Sequence, residues 1–219
     1  MSSIIRVFEA GWGNMLWKGF SVTVQITLGA ILLGLIIGIV LAYFKMSRFK
    51  ILKAISFIYL GAIRGTPVVI QLLIVNFLLF SGFRGNRVWV AIVGLGINSA
   101  AYVAELIRGG IQSVDKGQTE AGLSLGFNRT QTMIFIVMPQ AIKNILPSFI
   151  NEFIMLTKET AIVGFIAVQD LTRVANQITA TTFDIMPLFV SGLIYLAFIS
   201  ILTFLLSLIE KFLRKSDRG

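Results

Sequence analysis

The chain has 219 residues, of which 56% are apolar and 13% charged, about half the charge of a soluble domain, so it is an integral membrane protein. It contains no Cys and no His, which excludes disulfides, thiolate metal sites, His-based zinc motifs and Ser-His-Asp triads. The net charge of +9 does not indicate nucleic acid, because the positive residues cluster at the ends of apolar runs, as in membrane loops.

Met1 to Trp17 is mildly amphipathic, with Trp12 and Trp17 suited to a membrane interface. There is no early basic cluster and no small-residue cleavage site, so no removable signal peptide is expected. The first span runs from about Val22 to Tyr43, long enough for a bilayer core of about 30 Å. Ala30, Gly34, Gly38 and Ala42 recur along it at every fourth position. Such a stripe lets helices pack backbone to backbone in lipid, either within one subunit or between two. Lys45, Arg48, Lys50 and Lys53 then form a short basic loop.

The second span, about Phe57 to Phe80, carries Arg64-Gly65-Thr66-Pro67 and then Gln71 and Asn76. Pro67 lacks an amide hydrogen and clashes with the preceding turn, so the helix should bend or open there. An intramembrane Arg64 must face protein or water and find an acceptor. After a polar turn from Ser81 to Arg87, the third span runs from about Val88 to Ile107. Asn98, Tyr102, Glu105 and Arg108 share one polar face of it. Glu105 and Arg108 are spaced to pair with each other.

A polar island follows, at about 112–139. Gly117 and Gly126 bracket a segment of about two helical turns. Gly122 inside it costs roughly 1 kcal/mol relative to Ala and permits close approach by another surface. The fourth span, about Ile142 to Leu156, is entered past Pro139 and Pro147 and is crowded with polar groups, Asn151 and Glu152 among them. Glu159, just beyond, shares a face with Glu152. An intramembrane carboxylate is a functional group by default; the competing role is a structural ion pair, for instance with Arg64 or Lys158. Ile162 to Val168 is apolar but too short to cross, and reads as re-entrant or interfacial. Gln169 to Asp184 is polar and expected outside. The fifth span, about Pro187 to Ile209, precedes a tail with Lys211, Arg214, Lys215 and Arg218.

Five spans place the first basic loop, the polar island and the tail on one side, with eleven Lys or Arg. The other side has five: Arg6, Lys18, Arg84, Arg87 and Arg173. The positive-inside rule then puts the N-terminus outside and the C-terminus in the cytoplasm.

Glu120-Ala121-Gly122, three residues, Gly126, nine residues, then Ile136-x-Met138-Pro139 resembles the EAA loop of ABC-importer permeases. The chain departs from the family pattern at Gly122, usually Ala, and at Met138, usually Leu. Arg64-Gly65-Thr66-Pro67 with Gln71 resembles the signature of the polar amino acid uptake branch. The run from Asn98 through Tyr102, Glu105 and Arg108 to Gly110 is similar to the same branch. The resemblance covers about Leu16 to Leu213. It implies an all-α membrane protein with five transmembrane helices and the type I ABC importer fold, a single permease domain over residues 1–219. It implies that Glu120, Ala121, Gly122 and Gly126 couple to a pair of separate ATPase subunits, which hold ATP and Mg. The chain has no Gly-Lys dipeptide and hence no P-loop, so no cofactor of its own is expected. The other implied partners are a second permease, either a copy or a close relative, and an extracytoplasmic amino-acid-binding protein. The implied location is the cell membrane of a prokaryote. Arg64, Thr66, Gln71, Asn98, Tyr102, Asn151 and Glu152 match the branch and are implied to lie toward the translocation path.

The chemistry of an amino acid adds to this. Its carboxylate needs donors, for which Arg64, Thr66 and Asn98 are placed, and its ammonium needs an acceptor, for which Glu152 is placed. A cationic side chain needs a second acid, Glu159 or Glu105, which leans toward arginine, lysine or histidine. The alternatives are an ion-coupled secondary transporter, which would need repeated halves with broken helices, and a channel, which needs no docking helix. No nucleophile–base or metal constellation argues for an enzyme. Topology is directly testable. Ser47→Cys and Ser216→Cys should resist a membrane-impermeant thiol reagent in intact cells, and Ser81→Cys should react; the opposite sidedness would overturn the orientation.

Overall fold

The computed structural model describes residues 11–215. Among these the chain is helical, with no strand. Four helical runs are long and apolar enough to cross a membrane: Trp12–Met46, Arg87–Gln112, Arg129–Ile166 and Met186–Leu208. The pair Lys50–Arg64 and Val68–Leu79 makes five if counted as one span. Arg6, Ser216 and Arg218 lie outside the described residues.

The helices are α1 (Trp12–Met46), α2 (Lys50–Arg64), α3 (Val68–Ile74), α4 (Arg87–Gln112), α5 (Lys116–Ser124), α6 (Arg129–Thr132), α7 (Met138–Glu159), α8 (Leu171–Thr182) and α9 (Met186–Lys215). A π-helical turn extends α3 (Val75–Leu79) and another leads into α7 (Met133–Val137). A 3-10 helix (Thr160–Ile166) continues α7.

The small-residue stripe of α1 is used inside the chain, against α4. A Cβ added at Gly34 would lie 3.0 Å from Ser99 Cβ, and one at Gly38 would lie 2.7 Å from Val103 Cγ1. Ala30 and Ala42 are buried on the same face. This settles the two readings of the stripe in favour of packing within one subunit. Lipid tails are as apolar as leucine, so helices gain from meeting only by packing more closely than lipid would. Small residues are what make that possible here. Around this seam Ile26, Leu72, Val90, Leu95, Leu156 and Val163 form the main core, drawn from α1, α3, α4, α7 and the 3-10 helix.

The second span departs from a simple kink. Its two parts turn by 109°, with Gly65, Thr66 and Pro67 between them. Pro67, in an extended conformation, precedes the second part at its N-cap, because it has no N–H to give and its ring excludes a continuing turn.

Most of the segment from Ile162 to Val168 belongs to the end of the helical run Arg129–Ile166. It folds as the 3-10 helix, and Val163 and Ile166 plug the core. Ala167, at φ 62°, turns the chain toward Asp170. The Asp170 carboxylate accepts from Thr172 N and Arg173 N, both at 3.0 Å, and so caps α8. Leu171 N donates to Thr23 Oγ1 of α1 at 3.2 Å. The polar reading of Gln169 to Asp184 needs correction here. Leu171, Val174, Ala175 and Ile178 are buried against Leu16 of α1 and Val190 of α9. Their i, i+3, i+4, i+7 spacing is an amphipathic helix, outweighed in composition by the polar residues between them.

The close α1–α4 contact predicts that Gly38→Leu lowers stability by about 1–3 kcal/mol through overpacking. Gly61→Ala has nothing within 4 Å of the new methyl and should be neutral or gain up to about 1 kcal/mol. Thermal unfolding of both variants in detergent separates the two.

Candidate functional site

The helix break organises the site. Gly65 N donates to Gly61 O at 3.0 Å and closes α2. Thr66 Oγ1 donates to Ala62 O at 2.8 Å. The remaining carbonyls of the last turn have no helical partner and no water to turn to in lipid. The Gln71 amide, one turn into the second part, supplies what is missing. Its Nε2 donates to Ile63 O at 2.7 Å, Thr66 O at 3.0 Å and Thr66 Oγ1 at 2.8 Å. Its Oε1 in turn accepts from Asn98 Nδ2 of α4 at 2.8 Å. Tyr59 Oη donates to Ile97 O at 2.7 Å and holds α2 on α4.

In front of this network lies an open cavity of about 370 Å³. Arg64, Tyr102, Glu105, Ser148, Asn151 and Glu152 line it. The Arg64 guanidinium sits 5.8 Å from the centre of the Tyr102 ring, within cation–π range. Glu152 Oε1 accepts from Ser99 Oγ at 2.7 Å, and Ser99 is wholly buried between α1 and α4. Among the described residues Glu152 forms no ion pair with Arg64 or Lys158. Glu105 is engaged on both oxygens. Oε1 pairs with Lys45 of α1, and Oε2 takes Arg108 Nε at 2.9 Å.

Of the eight residues expected near substrate, the cavity brings together Arg64, Tyr102, Asn151 and Glu152. Gln71 and Asn98 do not belong with them. They are 8% and 3% exposed, and the Gln71 amide is fully occupied within the protein, so their role is to seal the break. Thr66 is exposed, yet its hydroxyl is shared between Ala62 O and Gln71. Glu159 stands about two turns beyond Glu152 on α7 and does not line the cavity. Glu105, offered as a second acid, is already neutralised by two cations. Ser99 was not anticipated. The available signal was that an intramembrane Glu152 required a donor on a neighbouring span.

The polar island folds as a hairpin of short helices. Asp115 caps α5, its carboxylate accepting from Gly117 N at 2.6 Å. Gly117 therefore lies in the first turn of α5 and does not bracket it. The other end is as expected: Gly126, at φ 87°, takes the left-handed conformation. Phe127 N donates to Gly122 O at 3.2 Å and Gly126 N to Leu123 O at 3.1 Å, a Schellman closure. A capping box between Asn128 and Gln131 starts α6. Glu120 and Ala121 are exposed, as are Leu123 and Leu125. Gly122 points the other way. A Cβ there would lie 2.7 Å from Thr132 Cγ2 and 2.8 Å from Ile136 Cδ1. The surface it lets approach is this chain's own, which corrects its assignment to an external docking face.

Residues 34–215 match the family model described as binding-protein-dependent transport system inner membrane component. The arginine transport system permease protein ArtQ of Bacillus subtilis is 44% identical over 203 residues, covering 91% of this chain and 93% of that protein. The glutamine transport system permease protein GlnP of Escherichia coli is 32% identical over 201 residues, covering 90% and 92%. A crystal structure of an amino acid ABC transporter with histidines contains a chain 40% identical, with a TM-score of 0.86, covering 94% of this chain and 97% of that one. An inward-facing methionine ABC transporter, MetNI, shares the fold at 19% identity with a TM-score of 0.79.

The Gln71–Asn98 seal predicts that Gln71→Leu costs about 1–3 kcal/mol, because it orphans buried carbonyls and the Asn98 amide. Gln71→Leu with Asn98→Leu should cost less than the sum of the single changes. Additive losses in thermal unfolding would show that the two amides act separately.

Proposed function

We infer that this chain, which belongs to the binding-protein-dependent transport system inner membrane component family, is the permease subunit of an ATP-driven importer for polar, basic amino acids. The observation that carries the substrate class is the cavity that holds Arg64 and Glu152 together. A free amino acid has a carboxylate and an ammonium group. Arg64 offers a bidentate donor to the first, and Glu152 offers an acceptor to the second. Asn151 and Tyr102 supply neutral polar contacts between them. The family likeness to an arginine permease and to a transporter crystallised with histidines supports a cationic side chain. Glu159 is the remaining acid on the same face of α7.

ATP hydrolysis belongs to a separate pair of ATPase subunits, where ATP and Mg are bound. The exposed side of α5, with Glu120 and Ala121, is the part of the chain offered to them. A second permease, copy or relative, completes the path, and an extracytoplasmic binding protein delivers substrate. The excess of Lys and Arg on the side of α5 supports a cytoplasmic position for it, with the N-terminus outside. The location is the cell membrane of a prokaryote. Transport proceeds by alternating access, and ATP drives it only through its different affinity for the two states.

The test is uptake of radiolabelled arginine by the permease reconstituted with its ATPase and binding protein. Glu152→Gln should lower uptake at least about tenfold, equivalent to about 1.4 kcal/mol, with basal ATP hydrolysis retained. Normal uptake, or a variant whose main defect is thermal stability, would make the carboxylate structural and remove the basis for the substrate assignment.

A further inference from the structure

Two apolar cavities meet along the seam between α1, α4 and α7. One, of about 400 Å³, is walled by Leu35 and Phe149 among others. The second, of about 570 Å³, continues to the end of α1 and opens beside Arg48 and Phe49. Ile39, Ile107 and Met138 line both, so the two form one groove. From Leu35 to Met46 it follows about 16 Å of helix axis. That matches the depth of one leaflet in a hydrocarbon core of about 30 Å. Met133 and Met138 make part of the wall deformable.

The mouth has a different chemistry from the walls. Arg48 is exposed, its guanidinium 5.2 Å from the centre of the Phe49 ring, and among the described residues it forms no ion pair. Lys50 and Lys53 follow it on exposed positions of α2. Lys45, by contrast, is committed to Glu105. An apolar trough as deep as one leaflet, ending at an uncommitted cation, fits a ligand with a long apolar tail and an anionic head. We propose that this groove binds one acyl chain of an anionic phospholipid, with the phosphate at Arg48. The groove shares no lining residue with the cavity that holds Glu152, and the proposal does not depend on which amino acid is carried.

The assembled permease–ATPase complex, purified in detergent, is titrated with phosphatidylglycerol or phosphatidylcholine of identical chains, and retained lipid is counted by native mass spectrometry. The complex should retain phosphatidylglycerol about fivefold over phosphatidylcholine, close to the 1 kcal/mol that one basic residue contributes near an anionic surface. Arg48→Ala should abolish the preference while still retaining lipid. Ile39→Trp, at a half-exposed wall position, should abolish retention of both lipids. Arg84→Ala, in the loop before α4, should behave as the parent. Equal retention of the two lipids by the parent, or a preference untouched by Arg48→Ala and Ile39→Trp, would overturn the proposal. So would protection of Ile39→Cys from a hydrophobic, detergent-soluble maleimide in lipid-stripped complex, since the groove would then be covered by a second permease copy.

Discussion

Inside a bilayer a backbone carbonyl or amide without a partner has no water to fall back on, and each one costs several kcal/mol. This protein breaks a helix at membrane depth and satisfies the broken end from within. The Gln71 amide replaces the turn that Pro67 prevents, and Asn98 fixes that amide from α4. The rest of the site follows from this repair. Because α2 stops at Arg64, the guanidinium projects from a helix end instead of being packed along a helix side. Because α3 leaves at a steep angle, the face of α4 that carries Tyr102 and Glu105 stays open. The π-helical turn after α3 brings Asn76 to Arg87 at the head of α4, so the second part is tied at both ends.

The charges around the cavity are distributed unequally. Glu105 holds two cations and Glu152 holds one hydroxyl. The first carboxylate is neutralised by its neighbours and joins the end of α1 to α4. The second keeps an oxygen uncommitted beside Asn151. Arg64, over the Tyr102 ring, is paired with neither acid among the described residues. Ser99 fixes the direction of Glu152, and the small size of Gly34 is what leaves Ser99 room.

The sequence was most legible where one residue type has one physical use. Pro67 announced the break, Gly126 the left-handed helix end, and the spacing of Glu105 and Arg108 their ion pair. It was less legible where a polar side chain has two uses. Gln71 and Asn98 were read as ligand contacts because a buried amide looks the same whether it faces a substrate or an orphaned carbonyl. Only the angle of the break shows which carbonyls are orphaned. Gly122 posed the same difficulty: its spacing reveals a close approach but not whose surface approaches. Helix α8 was missed for a different reason, since four buried positions at helical spacing were outvoted by the polar composition around them.

The contact of Gly122 with Thr132 and Ile136 has a mechanical consequence. It fastens α5 to the foot of α7 without a side chain's length of slack. Helix α7 then runs on to Glu152, about 24 Å from Ile136 along the axis. A displacement of α5 enters this helical run at the π-helical turn, and the far end of the run carries the carboxylate. The run is irregular at two places, the π-helical turn at Met133–Val137 and the missing hydrogen bond at Pro147. How far a displacement at Gly122 carries toward Glu152 therefore depends on those two points, and stiffening either would alter it without touching either end.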